Sequence, residues 1–263
     1  MISHLLILVI MALSLGASPA TAGQNPPTLM RLKQAVAANP QDPQAHYSLG
    51  LKYESLGKTK QAIGEYQKVL SLKPDDAKAL YSLGRLMGEL GDFGESIEIL
   101  KKAVKLNPDF AAARSLMAAE YNRQAVAFMA QGNLDAAKEA LTAGIGAKGG
   151  AAETEALRNN LGALYVRENR LDQAIKTFQE VLSQNPNVPQ AHYNLALIYY
   201  SQGDYQSASQ QFFALKGIDR AMAGELSDYR FRIEKSPDYP VKTMLTFPGS
   251  PLLTEGSIPP GFK

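Results

Sequence analysis

The sequence predicts an all-α protein built from successive helical hairpins, followed by an extended, Pro-rich C-terminal tail. Three observations support this prediction. The sequence repeats with a period of 34 residues, apolar residues recur three and four positions apart within each repeat, and Gly, Asn and Pro punctuate the apolar runs at fixed places. Because side chains three and four residues apart share one face of a helix, each repeat is predicted to be two amphipathic helices joined by a turn.

Composition narrows the possible functions. The chain has 263 residues, 45% of them hydrophobic and 20% charged, which is typical of a folded globular protein. A formal net charge of +2, from 27 basic and 25 acidic residues, gives no excess positive field, so nucleic acid is not an expected partner. The absence of cysteine from the sequence excludes disulfides, thiolate nucleophiles and Cys-ligated metals.

The N-terminal segment, residues 1–22, has the features of an export signal. It contains no Lys, Arg, Asp or Glu, and Leu5 to Leu15 form an apolar run of about 11 residues, whereas a membrane-spanning helix needs about 20. The small residues Ala20-Thr21-Ala22 then provide a cleavage site. We therefore expect an exported protein, periplasmic in the first place or secreted as the alternative, with no membrane span after signal cleavage.

The remaining elements follow in order. Residues 23–42 are predicted to hold a lone helix equivalent to the second half of a repeat, with Leu32, Ala35 and Pro40 at the matching places. The array covers residues 43–220 in units 43–76, 77–110, 111–154, 155–188 and 189–220. A capping helix is predicted over 221–235, because the last unit of such an array needs a cover, and the Pro-rich tail over 236–263 either docks on the array or binds a partner.

Places within a unit are counted from its first residue, so that Pro43 and Ala77 each stand at place 1. Each recurring place has a predicted structural role. Small residues at places 8 and 20 allow the two helices to approach closely, a large apolar residue recurs at place 24, and Gly or Asn at place 15 allows the positive φ that ends the first helix. Asp42 followed by Pro43 is typical of a helix start. The recurring pairs and residues are Leu49-Gly50, Leu83-Gly84, Leu161-Gly162 and Leu195-Ala196 at places 7 and 8, and Gly57, Gly91, Asn169 and Gly203 at place 15.

The third unit departs from the period. The second and fourth units start 78 residues apart, which is two periods plus 10, so the third unit contains an insertion. Its helix pair aligns with the other units from Ala118, which therefore stands at place 1 of the third unit. Residues 109–117 are predicted to lengthen its first helix. Residues 144–150 are predicted to be a glycine-rich connecting loop. They lack the preceding strand and the Gly-Lys-Ser/Thr ending of a phosphate-binding loop.

Taken together, the spacings of Leu-Gly, Tyr, Ala, Phe and Pro resemble those of the tetratricopeptide repeat (TPR) family over residues 43–220. The resemblance implies a right-handed superhelical solenoid with a concave groove lined by the first helix of each unit. It also implies a protein that binds another protein or a peptide, has no cofactor and is not an enzyme. The sequence makes no prediction of the oligomeric state.

The two histidines of the mature chain do not predict a metal site. His46 and His192 occupy the same place, place 4, of two distant units, where the family carries a large residue that packs against the partner helix. We therefore interpret both as packing residues and predict no metal and no catalytic residues.

The resemblance places the peptide-binding groove on the outer stripe of the first helices. Tyrosines at place 5 offer large amphipathic contacts, and asparagines at place 6 resemble a ladder that holds extended peptides in some family members. Tyr47 and Leu51 stand where chaperone adaptors of the family carry the Lys and Asn that grip a C-terminal carboxylate, so an acidic tail is not the expected ligand. The predicted groove residues are Tyr47, Leu51, Tyr81, Arg85, Asn159, Asn160, Tyr193, Asn194, Leu197 and Tyr200.

Three functional hypotheses follow from the sequence. The first is a scaffold or adaptor that binds a partner in the groove, within a bacterial cell-envelope assembly. The second is a holdase-like chaperone for exported proteins. The third is an accessory subunit of an envelope enzyme complex with its site in the third unit, where Glu120 and Arg123 are the candidate residues.

Overall fold

The computed structural model describes residues 28–235, and within this range all regular secondary structure is α-helical. The described residues fall into two compact units, with the boundary between Lys68 and Val69. The predicted signal and the predicted Pro-rich tail both lie outside the described residues. No helix between residues 28 and 235 combines the length and the apolar character needed to cross a membrane.

The first unit contains a lone helix and a hairpin. Helix α1 spans Leu29–Ala38, α2 spans Pro43–Ser55, and α3 begins at Thr59 and ends at Leu72, beyond the boundary of the unit. Helix α2 begins as the sequence predicts, because the Asp42 carboxylate accepts a hydrogen bond from the Gln44 N–H (2.9 Å) and proline occupies the first helical position.

The second unit contains four helical hairpins and a final helix. The helices are α4 (Ala77–Glu89), α5 (Phe93–Leu106), α6 (Ala111–Ala130), α7 (Leu134–Gly146), α8 (Ala151–Arg167), α9 (Leu171–Gln184), α10 (Pro189–Ser201), α11 (Tyr205–Ile218) and α12 (Arg220–Lys235). Each odd-numbered helix from α5 to α11 packs against the helix before it, which makes the hairpin the structural repeat.

The turns inside the hairpins have the backbone conformation that the sequence predicts. A positive φ ends the first helix of every hairpin, and only Gly adopts this conformation freely, with Asn the usual alternative. The residues concerned are Gly57 (φ 66°), Gly91 (90°), Gly132 (78°), Asn169 (61°) and Gly203 (76°).

Small residues bring the two helices of a hairpin together. A methyl group added at Gly162 would lie 2.7 Å from the ring of Phe178, and one added at Gly84 would lie 2.8 Å from Leu100. These distances are too short for real contacts, so each glycine is required by the large residue that faces it. The predicted role of the small residue at place 8 is confirmed by this packing, and the structure shows that its partner is the large residue at place 24.

The third hairpin follows the sequence prediction in part. Its first helix, α6, is lengthened to 20 residues, as expected. The glycine-rich loop is shorter than predicted, because Gly144 and Gly146 lie within α7 and the connection is only residues 147–150. Gly144 is helical for a packing reason, since a methyl group there would lie 2.7 Å from Leu157.

Hydrogen bonds hold this short connection against α6. The Gly150 N–H donates to the Ser115 hydroxyl (3.0 Å), and the Arg114 guanidinium donates to the carbonyls of Lys148 (3.2 Å) and Pro108. Helix α8 then begins at Ala151, so the predicted unit boundary after residue 154 falls inside a helix.

The final helix packs on the last hairpin. Ala223 and Leu226 of α12 are buried in the same apolar cluster as Leu197 of α10 and Leu215 of α11. Helix α12 therefore lies against both helices of this hairpin, as the first helix of a further unit would.

Candidate functional site

The first helices of successive hairpins lie side by side in the second unit. Helix α4 contacts α6, α6 contacts α8, and α8 contacts α10. The predicted groove residues of this unit lie on α4, α8 and α10, so these contacts determine which of them reach the surface.

In the first unit, the predicted groove residues are accessible. Leu51 is 46% exposed, and the ring of the half-buried Tyr47 lies 5.5 Å from the ring of Tyr66. This part of α2 presents an apolar and aromatic surface.

On α4, Tyr81 and Arg85 are both half-buried and held in place. The ring of Tyr81 lies 5.2 Å from the ring of Phe110, and Arg85 Nη1 lies 2.5 Å from Glu89 Oε1. Aromatic and charged groups therefore alternate along this helix, and both remain accessible to a ligand.

The two adjacent asparagines of α8 have different environments. Asn160 is buried, and its amide N–H donates to Asn122 Oδ1 of α6 at 2.7 Å. A second link joins the same helices, because the Arg167 guanidinium donates to the carbonyl of Met129 at 2.9 Å. Asn160 thus fastens α8 to α6, which corrects its predicted role as a ligand-binding residue.

Asn159 is the asparagine with unused hydrogen-bonding capacity. Its side chain is half-buried, yet its amide oxygen has no hydrogen-bond donor within the described part of the chain. This oxygen is itself buried. Because most buried polar atoms in proteins have a partner, an acceptor without one marks an amide that rotation about its terminal torsion would offer to an external donor.

The predicted groove residues of α10 are mostly buried. Tyr193 is 2% exposed, Asn194 0% and Leu197 4%, so none of them offers a contact surface in this structure. Tyr193 and Leu197 share an apolar cluster with Ala223 and Leu226 of α12, which explains their burial. The prediction that these three residues line an open groove is therefore wrong. The sequence predicts that a helix covers the last unit, but it does not show which residues of α10 that helix buries.

Tyr200, one turn further along α10, stays half-buried. Its ring makes an edge contact with Tyr205 at 5.4 Å, and Tyr205 is largely exposed. The C-terminal end of α10 therefore keeps an accessible aromatic surface beyond the part that is buried.

Helix α6 carries a buried carboxylate, whose burial was not predicted from the sequence. Glu120 is 0% exposed, and Arg123 Nη1 lies 3.1 Å from its Oε1 atom. Burial, with a smaller contribution from the nearby Glu89, raises the pKa of this carboxyl from 4.5 to about 6 against the opposing effect of Arg123. A methyl group at Gly88 would lie 2.4 Å from this carboxylate, so the glycine makes the space for it.

The sequence does contain a signal for this site. Glu120 occupies place 3 of its unit, where the other four units carry only Ala or Leu. A charge at a place that is otherwise apolar indicates a special environment. The apolar equivalents are Ala45, Ala79, Leu157 and Ala191.

Both histidines lie in the interior of their hairpins. In each case Nδ1 meets a side-chain oxygen of the second helix and Nε2 meets the carbonyl of a preceding proline, so both ring nitrogens are occupied. Across residues 28–235, no cluster of three or more His, Asp or Glu side chains is arranged to hold a metal ion.

Comparison with known proteins agrees with this geometry. A family model described as "Tetratricopeptide repeat" matches residues 53–120, and one described as "TPR repeat" matches residues 157–210. No curated protein matches the sequence significantly.

Two solved structures of similar fold are instructive. The first is YrrB, described as a TPR protein with an unusual peptide-binding site. It is 19% identical, with a TM-score of 0.51, and the match covers 76% of this chain and 100% of that one. The second is the MamA protein, 24% identical with a TM-score of 0.50, where the match covers 69% of this chain and 94% of the other. At these identities the likeness establishes the fold alone.

The hairpins, their turns and the family matches define an array of tetratricopeptide repeats in this chain. The predicted fold class, an all-α TPR solenoid, is confirmed for the part of the chain that the structure describes. These repeats support the coarse functional class, a scaffold for protein–protein interaction.

Proposed function

We propose that this protein is an exported scaffold that binds an extended segment of a partner protein along the first helices α4, α6 and α8. Export rests on the apolar N-terminal run that precedes a small-residue cleavage site. An envelope assembly is the setting in which such a scaffold would act.

The observation that carries this proposal is the amide of Asn159. Its oxygen is buried without a donor among residues 28–235, while the neighbouring Asn160 already donates to Asn122. The terminal torsion of an Asn side chain is broad and roughly two-fold, so the amide rotates easily to present either its oxygen or its N–H₂ group. A peptide backbone supplies both an N–H and a C=O, which is the pairing that one carboxamide satisfies.

The neighbouring side chains favour a ligand that carries both apolar and charged groups. Tyr81 offers a large amphipathic ring, and Arg85 and Glu89 form an ion pair that a ligand approaches from the exposed side. Backbone contact from Asn159 then supplies affinity that is independent of the ligand sequence, and the side chains on α4 supply selectivity. The known peptide-binding site of the similarly folded YrrB is consistent with this use of the fold.

The test is affinity capture from the native cell envelope, with the purified full chain as bait. The wild-type chain is expected to retain one or a few proteins, and Asn159→Ala is expected to weaken retention about fivefold to tenfold, as for one lost hydrogen bond. Asn187→Ala, at an exposed position in the connection before α10, is the matched control and should leave retention unchanged. Equal loss in both variants, or none in Asn159→Ala, contradicts the groove assignment.

A panel of unrelated unfolded proteins separates the scaffold from a holdase. A scaffold binds one partner tightly and the panel weakly, whereas comparable micromolar binding across the whole panel would establish the holdase instead. The described surface favours the scaffold, because the paired charges of Arg85 and Glu89 give one partner of complementary charge a specific contact.

A further inference from the structure

A pocket of about 460 Å³ lies between the turn that joins α4 to α5 and the second half of α6. None of the predicted groove residues lines it. Its walls are Gly91, Asp92, Phe93, Gly94, Glu95, Gln124, Ala127, Phe128 and Gln131.

Two departures from the repeat pattern open this pocket and make it polar. Gly94 has no side chain at place 18, and a methyl group added there would lie 3.5 Å from Gln124 Nε2. Gln124 itself stands at place 7, where every other unit has leucine. The residues at place 18 of the other units are Lys60, Asp135, Asp172 and Gln206, and the leucines at place 7 are Leu49, Leu83, Leu161 and Leu195.

The charged groups of the pocket are acidic. Asp92 and Glu95 are exposed at its rim, and none of the nine lining residues is basic. Neither carboxylate forms an ion pair with a basic side chain of residues 28–235. The pocket therefore attracts a positively charged group.

These carboxylates are not used to cap α5, although their spacing is that of a capping box. The side chain of Asp92 makes no capping hydrogen bond, in contrast to Asp204 at the equivalent start of α11 and to Asp76 at the start of α4. The backbone N–H of Asp92, which Glu95 would bind in a capping box, donates instead to the carbonyl of Met87 at 3.0 Å. Both carboxylates are thus left for another partner.

The remaining walls select the kind of cation. The half-buried rings of Phe93 and Phe128 present aromatic surface, on which a planar guanidinium packs more favourably than a compact ammonium. The amide oxygens of Gln124 and Gln131 accept hydrogen bonds, and a guanidinium carries five N–H donors against three for an ammonium. We propose that this pocket binds an arginine side chain of a partner protein, as a second contact site separate from the groove.

The site is tested with the isotope-labelled full chain and the probe peptide acetyl-Gly-Arg-Gly-amide, by chemical-shift titration. The expected result is saturable shifts of the Gly94, Gln124 and Phe128 amides, with binding that weakens as salt is added. The Asp92→Asn/Glu95→Gln double variant should bind about fivefold more weakly, as for the loss of two exposed charge contacts.

Two further variants separate the cavity from its charge. Gly94→Leu fills the pocket, keeps both carboxylates and improves helix propensity, so it should abolish the shifts while the chain stays folded. Asp204→Asn, in the equivalent turn of the last hairpin, and Asn159→Ala, in the groove, should both bind the probe as the wild type does.

Three results would overturn the assignment. One is the absence of saturable shifts at the pocket, another is equal binding of acetyl-Gly-Glu-Gly-amide, and the third is tighter binding of acetyl-Gly-Lys-Gly-amide than of the arginine peptide. Because the groove variant is measured in parallel, failure of the pocket and failure of the groove are distinguished.

Discussion

His192 of α10 and Gln211 of α11 are hydrogen-bonded, with 2.7 Å between Nδ1 and Oε1. The other ring nitrogen of His192 lies 2.9 Å from the carbonyl of Pro186, so one side chain ties together both helices of the hairpin and the connection that precedes it. The first unit contains the same arrangement, in which His46 meets Glu65 and the carbonyl of Pro40.

This arrangement predicts that the histidines stabilise their hairpins. His192→Ala removes two partly buried hydrogen bonds and leaves a cavity, and we expect a loss of about 2–4 kcal/mol in the free energy of unfolding. Urea denaturation measures this loss. A double-mutant cycle with Gln211→Ala should give a coupling energy of about 1 kcal/mol. A coupling near zero would show that the His192–Gln211 bond does not form in solution.

Close packing at the hairpin glycines gives a second prediction. Gly162→Ala forces a methyl group against Phe178, and we expect it to destabilise the protein by about 1–3 kcal/mol despite the better helix propensity of alanine. Gly64→Ala in α3 is the matched control, because no atom lies within 4 Å of the added methyl group, and it should raise stability by up to about 1 kcal/mol. Thermal unfolding that shows the same change for both variants would contradict this packing.

The buried carboxyl of Glu120 predicts an unusual dependence of stability on pH. Its pKa in the folded protein, about 6, exceeds its ordinary value of 4.5, so the folded state binds the proton more tightly than the unfolded state does. This contribution to stability is complete below pH 4.5 and is lost as the pH rises through 6. The loss amounts to about 1–2 kcal/mol, since one unit of pKa shift corresponds to about 1.4 kcal/mol.

Glu120→Gln should remove this contribution, so that the difference between variant and wild type grows in favour of the variant from pH 4.5 to pH 7. Glu98→Gln is the control, because that carboxylate lies in an exposed pair with Lys101. Chemical denaturation at several pH values provides the measurement, and a difference that is independent of pH would refute the prediction.

The two buried asparagines should respond oppositely to substitution. Asn160→Ala breaks the bond to Asn122 and should cost about 1 kcal/mol. Asn194 is fully buried and neither polar atom of its amide has a partner within residues 28–235. Replacing it by a leucine of similar volume, Asn194→Leu, should therefore raise stability by about 1 kcal/mol. Marked destabilisation by Asn194→Leu in urea unfolding would mean that the amide does have a partner.

The sequence by itself determined the contacts inside each hairpin. Two residues of one unit, such as Gly162 and Phe178, are separated by a fixed number of residues across one turn, so the period alone brings them together. The positive φ at Asn169 and the packing role of His192 follow from the same local constraint.

Tertiary structure decided which residues reach the surface. The sequence placed both Asn159 and Asn160 in the groove and gave the ladder role to Asn160. Asn160 instead donates to α6, and of the two it is Asn159 whose amide oxygen has no donor among the described residues. Likewise, α12 packs on the last hairpin, whose Tyr193 becomes buried with it. The third unit breaks the period, so its contacts through Glu120 and Gln124 depend on how far the lengthened α6 reaches. Accessibility is a property of neighbouring helices, and the residues of a single unit do not specify it.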